Sequence, residues 1–359
     1  MPLPANFPQR LKSARLIKGY SMRELSAKLG GKLSANALSR YEKGIMEPTS
    51  ANFIALCKAL GVSTSFFSRQ PMELEAVEFR KLSNLPAKRQ KQIIEQASDF
   101  LSRYVELETL LAVESTFRLP EGYPYPVNGK EDVEAFTKKL RSDWNLGYDP
   151  IPKVVELLES KEIKVHQIST EARFDGMAAK TQAGGNTHYI IVLNTFDRQP
   201  VRVRFTALHE LAHILMDLSS ITDEQTKERL CHYAAGAILL PQNSLVDLLG
   251  AKRRSINIRE LIDIKEQYGI ALSAILYRAQ SAGIITEAYR NNQMKYFSMR
   301  GWRSAKEPGS YCVPEKSNRM QRLVLRGIEE GIISETKGAN LFGMTTARFD
   351  DWLDKESVD

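Results

Sequence analysis

The sequence predicts a mainly α protein with a small sheet: an N-terminal five-helix module over residues 1–70, a helical connector over 71–120, an α+β body over 121–295 and a helical C-terminal part over 296–359. Three observations carry this. Cap signals and apolar periodicity divide the first stretch into short helices. Apolar residues then recur at alternating spacings of four and three from Ile93 to Leu111. Farther on, short alternating runs between Ile163 and Asn194 precede an apolar helix that carries two histidines.

Phe7 to Lys18 forms a basic amphipathic helix, and Ser21-Met22-Arg23-Glu24 is a capping box that opens a helix to Leu29. Gly30-Gly31-Lys32-Leu33 makes a turn, after which Ser34 caps a helix reaching Glu42. Gly44 and Pro48 stop it, Ser50 caps a fourth helix to Leu60, and Gly61-Val62-Ser63 starts a fifth through Phe66 and Phe67. Two short helices around a tight turn describe a helix-turn-helix. Charge points the same way. Of the net +7, residues 1–70 hold eleven Lys and Arg against three Asp and Glu, which leaves the remainder nearly neutral. A basic module on a neutral body implies a polyanionic partner, with nucleic acid the first candidate.

Leu11-x3-Arg15-x3-Gly19-x-Ser21-x2-Glu24-Leu25, followed by Ser34-x3-Leu38-Ser39-x2-Glu42-x-Gly44-x3-Pro48, resembles the XRE (Cro/C1-type) helix-turn-helix family over residues 7–67. The resemblance implies that the helix from Ser34 to Glu42 enters the major groove of a double-stranded DNA operator. It places Ala35, Asn36 and Arg40 at base edges and Ser34 and Lys43 near phosphates, with Ser39 on the same DNA-binding helix. Asn36 suits adenine, Arg40 guanine, and the Ala35 methyl a thymine methyl. Met22 stands where the family often has Gln, and the turn carries extra residues around Gly31-Lys32.

In the connector, Ile93, Ala97, Phe100, Tyr104, Leu107 and Leu111 form a heptad-like seam. Either it joins two chains into the homodimer that a palindromic operator requires, or it packs on its own body. Pro120 to Pro126 reads as a linker. Lys130 to Trp144 and Ile151 to Ser160 read as helices, and Ile163–Ile168, Gly176–Ala179 and His188–Asn194 as strands of one small sheet. The strand ending at Asn194 is expected to accept an extended peptide by main-chain pairing. His166 and His188 are expected at solvent or a sheet edge.

The helix Phe205-Thr206-Ala207-Leu208-His209-Glu210-Leu211-Ala212-His213-Ile214-Leu215-Met216-Asp217 contains His-Glu-x-x-His. Residues four apart share a helix face, so His209 and His213 can address one ion, with Glu210 beside them as general base. Leu208, Leu211, Ala212, Leu215 and Met216 would sink the pair into a core. A catalytic Zn²⁺ takes three protein ligands and keeps one position open. Glu228, at the polar start of a helix that ends before Pro241, is the leading third ligand. Asp217 and Glu224 are its rivals, and Asp217 and His232 are also candidates for outer contacts to the ligands.

Asn194, Arg202-x-Arg204-Phe205-Thr206-x2-His209-Glu210-x2-His213 and Glu228-x2-Cys231-His232-x2-Ala235-Gly236-Ala237-x-Leu239-x-Pro241 together resemble the ImmA/IrrE metallopeptidase family. The likeness extends more loosely from about Val77 to Trp302, including Glu78-Phe79-Arg80 and Arg103-Tyr104-Val105-Glu106-Leu107-Glu108. It implies a zincin-like domain, zinc ligands at His209, His213 and Glu228, and Glu210 as base. It further implies regulation by proteolysis, with a paired regulator, an antitoxin or the chain's own Pro120–Pro126 segment as substrate.

Cys57, Cys231 and Cys312 are far apart and include no C-x-x-C pair, so no disulfide framework is expected. No apolar run is long enough for a membrane helix, and a cytoplasmic protein is expected. Ile258–Tyr268 and Ser273–Ala282 read as a second helix-turn-helix-like pair, which the resemblance to the ImmA/IrrE family implies packs around the metal helices. Tyr296 through Gly301-Trp302-Arg303 to Cys312 reads as irregular, and Arg322–Glu330 and Gly343–Asp354 as closing helices. The expected function is a bacterial or prophage transcriptional regulator, a repressor, with a zinc endopeptidase domain. The alternative is a DNA-binding sensor whose zinc domain binds metal or a ligand without cutting.

Overall fold

A computed structural model describes residues 3–76, 85–113, 116–171, 173–302 and 307–356. The N-terminal module consists of α1 (Phe7–Ile17), α2 (Met22–Lys28), α3 (Ala35–Glu42), α4 (Ser50–Leu60) and a 3-10 turn at Thr64–Ser68. The capping box forms: Ser21 Oγ accepts from Glu24 N at 3.2 Å, and Ser21 N donates to Glu24 Oε2 at 2.6 Å. Such a cap stabilises a helix by about 1 kcal/mol. Thr49, rather than Ser50, caps α4 by accepting from Asn52 N at 3.3 Å, because its hydroxyl precedes the first helical residue. The fifth element is 3-10 rather than α, since Gly61 in the left-handed region (φ 60°) and Pro71 leave only a short run between them. Leu11, Leu25, Leu38, Leu56 and Phe67 close a core that belongs to this module alone.

The connector contributes β1 (Glu75–Ala76) and α5 (Ala87–Leu110), a helix of 24 residues. The seam side chains Ile93, Ala97, Phe100, Tyr104, Leu107 and Leu111 are buried in this one chain, against the sheet and the C-terminal helices. The seam therefore packs on its own body and is not open to a second chain. Ile93, Phe100, Leu107 and Leu111 each contribute roughly 1.5–3 kcal/mol when fully buried.

The body continues with β2 (Tyr125–Pro126), α6 (Lys130–Asp143), α7 (Val154–Ser160), β3 (Lys164–Ile168), β4 (Gly176–Ala183), β5 (Asn186–Asn194), α8 (Pro200–Leu215), β6 (Met216–Asp217) and α9 (Glu224–Leu239). The expected linker is instead a packed segment: β2 pairs in parallel with β6, and the Tyr123 and Tyr125 rings lie 6.2 and 6.0 Å from Phe136. Its prolines signal turns, but its two tyrosines carry apolar surface that folding removes from water.

The main sheet has the order β1-β4-β5-β3, with β4 antiparallel to β1 and β5, and β3 parallel to β5. The strand that ends at Asn194 is thus interior, with both edges taken, and cannot receive a peptide as expected. Side chains alternate between two cores. Ala178, Tyr189, Ile191 and Leu193 face α8, whereas Met177, Ala179, Ile190 and Val192 face α5. His188 is buried rather than solvent-facing, and His166 stacks on Phe100 with ring centroids 4.2 Å apart.

The chain closes with α10 (Gln242–Leu249), α11 (Ile258–Tyr268), α12 (Leu272–Ser281), α13 (Glu287–Met299), α14 (Arg319–Glu329), α15 (Glu335–Phe342) and α16 (Thr346–Glu356). Tyr296 is helical, not irregular, because Phe297 of the same turn is buried and Trp302 packs on both rings. The sequence does not announce α15, which is short and has Gly338 in its middle. Glu78-Phe79-Arg80 and Arg303 lie outside the described residues. No helix among the described residues is long and apolar enough to cross a membrane.

Contacts from α5 and α15 fix the N-terminal module to the body. Arg10 and Arg69 from the module and Arg103 from α5 converge on Asp99, at 2.7, 3.7 and 3.0 Å. Asn340 of α15 donates to Ser63 Oγ at 2.6 Å and to Ser65 Oγ, and accepts from Arg69 at 3.0 Å.

Candidate metal centre and nucleic-acid interface

Pro200 in the first turn starts α8, and the buried face of Leu208, Leu211, Ala212 and Leu215 holds it in the core. That packing sets His209 and His213 on the side turned toward α9. Asp223 caps α9 by accepting from Thr226 N at 3.0 Å, which places Glu228 one turn inside the helix rather than at its start. The three donors then meet: His209 Nε2 and His213 Nε2 are 3.1 Å apart and lie 3.4 and 3.3 Å from the Glu228 carboxylate oxygens. All three ligand atoms fall within 4.8 Å of one another, forming a possible metal site. Two imidazole nitrogens and one carboxylate oxygen suit a divalent transition metal.

Glu210 is buried beside this group. The sheet approaches it closely because residue 176 is glycine: a Cβ there would lie 3.2 Å from Glu210 Cγ and 2.7 Å from Thr206 Cγ2. The other ring nitrogen of His213, Nδ1, is 3.4 Å from Cys231 Sγ.

A cavity of about 230 Å³ opens onto His209, lined also by Arg173, Phe174, Asp175, Phe205, Thr206 and His232. His232 is exposed, and its ring centroid is 4.2 Å from that of His209. Arg202 holds the Asp175 wall through paired contacts of 3.2 and 2.8 Å. The Asn194 side chain ties down the same loop, donating to the carbonyls of Thr170 and Phe174 at 2.9 and 2.8 Å.

The rivals for third ligand point elsewhere. The helix ends at Leu215, so Asp217 is carried away on an extended segment, exposed. Its carboxylate accepts from Ser219 N at 3.0 Å, a bond that lowers its pKa. Glu224 pairs with Lys227 at 2.6 Å. What sequence reasoning missed is the supporting layer of Cys231, Gly176 and the Arg202–Asp175 pair. Cys231 and Arg202 stand in the motif that carries the resemblance, but nothing in one sequence says what they touch.

At the other end of the chain, Leu38 and Tyr41 bury one side of α3 in the module core. Asn36, Arg40 and Lys43 are exposed on the other side, Ala35 and Ser39 are half-buried beside them, and Ser34 accepts from Ala37 N at 3.1 Å as the helix cap. Arg15 clamps Glu42 through contacts of 2.6 and 2.8 Å, so these two motif residues fix the angle of α3 and are not turned to a ligand.

The exposed polar helix after a tight turn and the two-histidine, one-carboxylate cluster define a helix-turn-helix protein joined to a metallopeptidase-like body. Comparison with known families agrees: residues 11–67 match the helix-turn-helix family and residues 159–280 match the IrrE N-terminal-like domain. Among curated proteins, the chain is similar to the radiation response metalloprotease IrrE of Deinococcus radiodurans, at 33% identity over 102 residues, covering 25% of this chain and 30% of that protein. It is likewise similar to the radiation response metalloprotease IrrE of Deinococcus deserti, at 31% identity over 116 residues, or 29% and 40% of the two lengths. The matched part thus spans well under half of these relatives.

Proposed function

We propose that this chain is a sequence-specific transcriptional regulator, acting as a repressor, whose IrrE-like body is a zinc-dependent endopeptidase directed at a paired regulator or antitoxin. The supporting observation is the convergence of His209, His213 and Glu228 beside a buried Glu210, in a chain that also exposes the polar face of α3. His209, His213 and Glu228 are the residues that would hold Zn²⁺. When bound, the ion supplies Lewis-acid polarisation of a peptide carbonyl and acidification of water.

Glu210 then takes the proton of the attacking water on its carboxylate and passes it to the leaving amine nitrogen. His232, on the cavity wall, offers a ring N–H to the carbonyl oxygen as negative charge develops there. Asn36 and Arg40 read base edges while Ser34 and Lys43 sit near phosphates, with Ala35 and Ser39 between them. Two-fold operator binding needs a homodimer, and with the α5 seam consumed the pairing surface lies elsewhere on the chain.

The test is zinc analysis together with incubation of the wild type and Glu210→Gln with helix-turn-helix regulators or antitoxins encoded beside the gene. The expected result is cleavage by the wild type and a zinc-replete variant slower by roughly 100- to 10,000-fold. Equal failure of both to cut removes the enzymatic half. Release of DNA by an added ligand, with no fragments, identifies a sensor instead.

A further inference from the structure

α5 begins Ala87-Lys88-Arg89-Gln90-Lys91-Gln92, and Lys88, Arg89 and Lys91 are all exposed. Lys88 and Lys91, three residues apart, share a helix face, while Ile93 and Ala97 turn inward. This end of the helix lies against the turn between α1 and α2. Gln92 Nε2 donates to the Ile17 carbonyl at 3.0 Å, and the Gln92 side chain comes within 3.1 Å of where a Cβ on Gly19 would stand. Lys88 Nζ lies 3.1 and 3.0 Å from the two carboxylate oxygens of Glu24.

The place matters for DNA. In helix-turn-helix docking the first helix of the pair crosses the phosphate backbone, and helix starts are among the phosphate donors. Glu24 in the first turn of α2 sets a negative charge there, and it stays ionised: the Ser21 N–H and the Lys88 ammonium hold its pKa at about 2. Lys88, reaching over from α5, offsets that charge. Arg23 on α2 is exposed next to it, and Arg89 and Lys91 prolong the positive edge beyond the module.

We propose that the first two turns of α5 form a phosphate-binding flank continuous with the helix-turn-helix, so that Lys88, Arg89 and Lys91 contact the duplex backbone outside the base-reading helix. This rests on the DNA-binding reading above and enlarges its footprint. It also makes the helix that packs on the sheet, through Phe100 and His166, part of the DNA complex.

The experiment measures binding of the full chain to a mixed-sequence duplex, two to three helical turns long, against KCl concentration. Each neutralised phosphate contributes about 0.9 to the log–log slope. Lys88→Ala/Arg89→Ala/Lys91→Ala is expected to flatten the slope by about 2 to 3 and to weaken binding roughly 30- to 150-fold at 0.15 M salt. The charge-conserving Lys88→Arg/Arg89→Lys/Lys91→Arg keeps the wild-type slope. Lys91→Glu alone, which disturbs neither the Glu24 nor the Ile17 contact, loses at least about fivefold with an unchanged melting temperature.

Asn36→Ala and Arg40→Ala serve as controls on DNA upstream of the gene. If they abolish sequence preference while the triple alanine variant keeps the wild-type slope, the flank is wrong and the DNA-binding reading stands. If the wild type shows no salt-dependent binding to any duplex, that reading falls and the flank with it.

Discussion

His213 is held at both ring nitrogens: Nε2 faces Glu228 at 3.3 Å and Nδ1 faces the Cys231 thiol at 3.4 Å. Partners of this kind fix ring orientation, and losing one typically weakens metal binding 10- to 100-fold. Cys231→Val is expected to lose zinc affinity by about tenfold or more in chelator competition, while Cys231→Ser, which keeps a polar partner, retains most of it. Equal affinity in both variants would show that the thiol only fills space. His166 has a separate signature. Burial first, and then the nearby Arg103 charge, push its pKa from 6.5 down to about 3. The unfolded chain therefore binds a proton across that interval while the folded chain does not. Stability rises with pH through the window, by up to about 1.4 kcal/mol per unit, and is lost as pH falls. Denaturant midpoints between pH 4 and 7 should rise less steeply with pH in His166→Phe than in the wild type, the slope that remains including that of His188, whose pKa burial also lowers. At this scale His209, Glu210 and His213 were legible because helical spacing alone sets them together. Asp217 misled because the same spacing assumes a helix that in fact stops at Leu215.

Among the elements, α8 and the sheet depend on their close approach at Gly176. A methyl group there would sit 2.7 Å from Thr206 Cγ2 and 3.0 Å from the Val192 carbonyl, so something must move. Gly176→Ala is expected to destabilise by about 1–3 kcal/mol, measured by denaturant unfolding, and to lower zinc affinity as α8 shifts from its seat. A variant with wild-type stability and zinc content would refute this. Most helix starts could be read beforehand, because a cap is a local hydrogen bond between residues a few positions apart: Ser21 with Glu24, Ser34 with Ala37. Strand neighbours could not. That β5 lies between β4 and β3 follows from pairing across the sheet, which no local pattern encodes. The α5 seam was equally ambiguous, since an apolar stripe does not say whether its partner is the same chain or another.

Over the whole molecule, the N-terminal module is joined to the body by an ion-pair group on Asp99, by Asn340 and by the Gln92–Ile17 and Lys88–Glu24 contacts of α5. Burial alone would raise the Asp99 carboxyl's pKa, yet Arg103, Arg10 and Arg69 together hold it below the usual 3.8. The contact therefore contributes stability above pH 4 that is lost as pH falls through the lowered value. Asp99→Asn is expected to loosen the N-terminal module from the body at neutral pH, seen as a broadened or second thermal transition and as faster protease cutting between the module and α5. A single unbroadened transition and an unchanged digestion pattern would count against it. The Asn340 fastening has a consequence in time. Ser63, Ser65 and Arg69 leave the ribosome early, whereas Asn340, which grips them, is made some 270 residues later, as the separation of 271 between Arg69 and Asn340 records. The nascent module can therefore fold around its own core and settle on Asp99 and Gln92 of α5 before Asn340 exists, and a message cut short of residue 340 would yield a product that keeps the early fastening and lacks the late one.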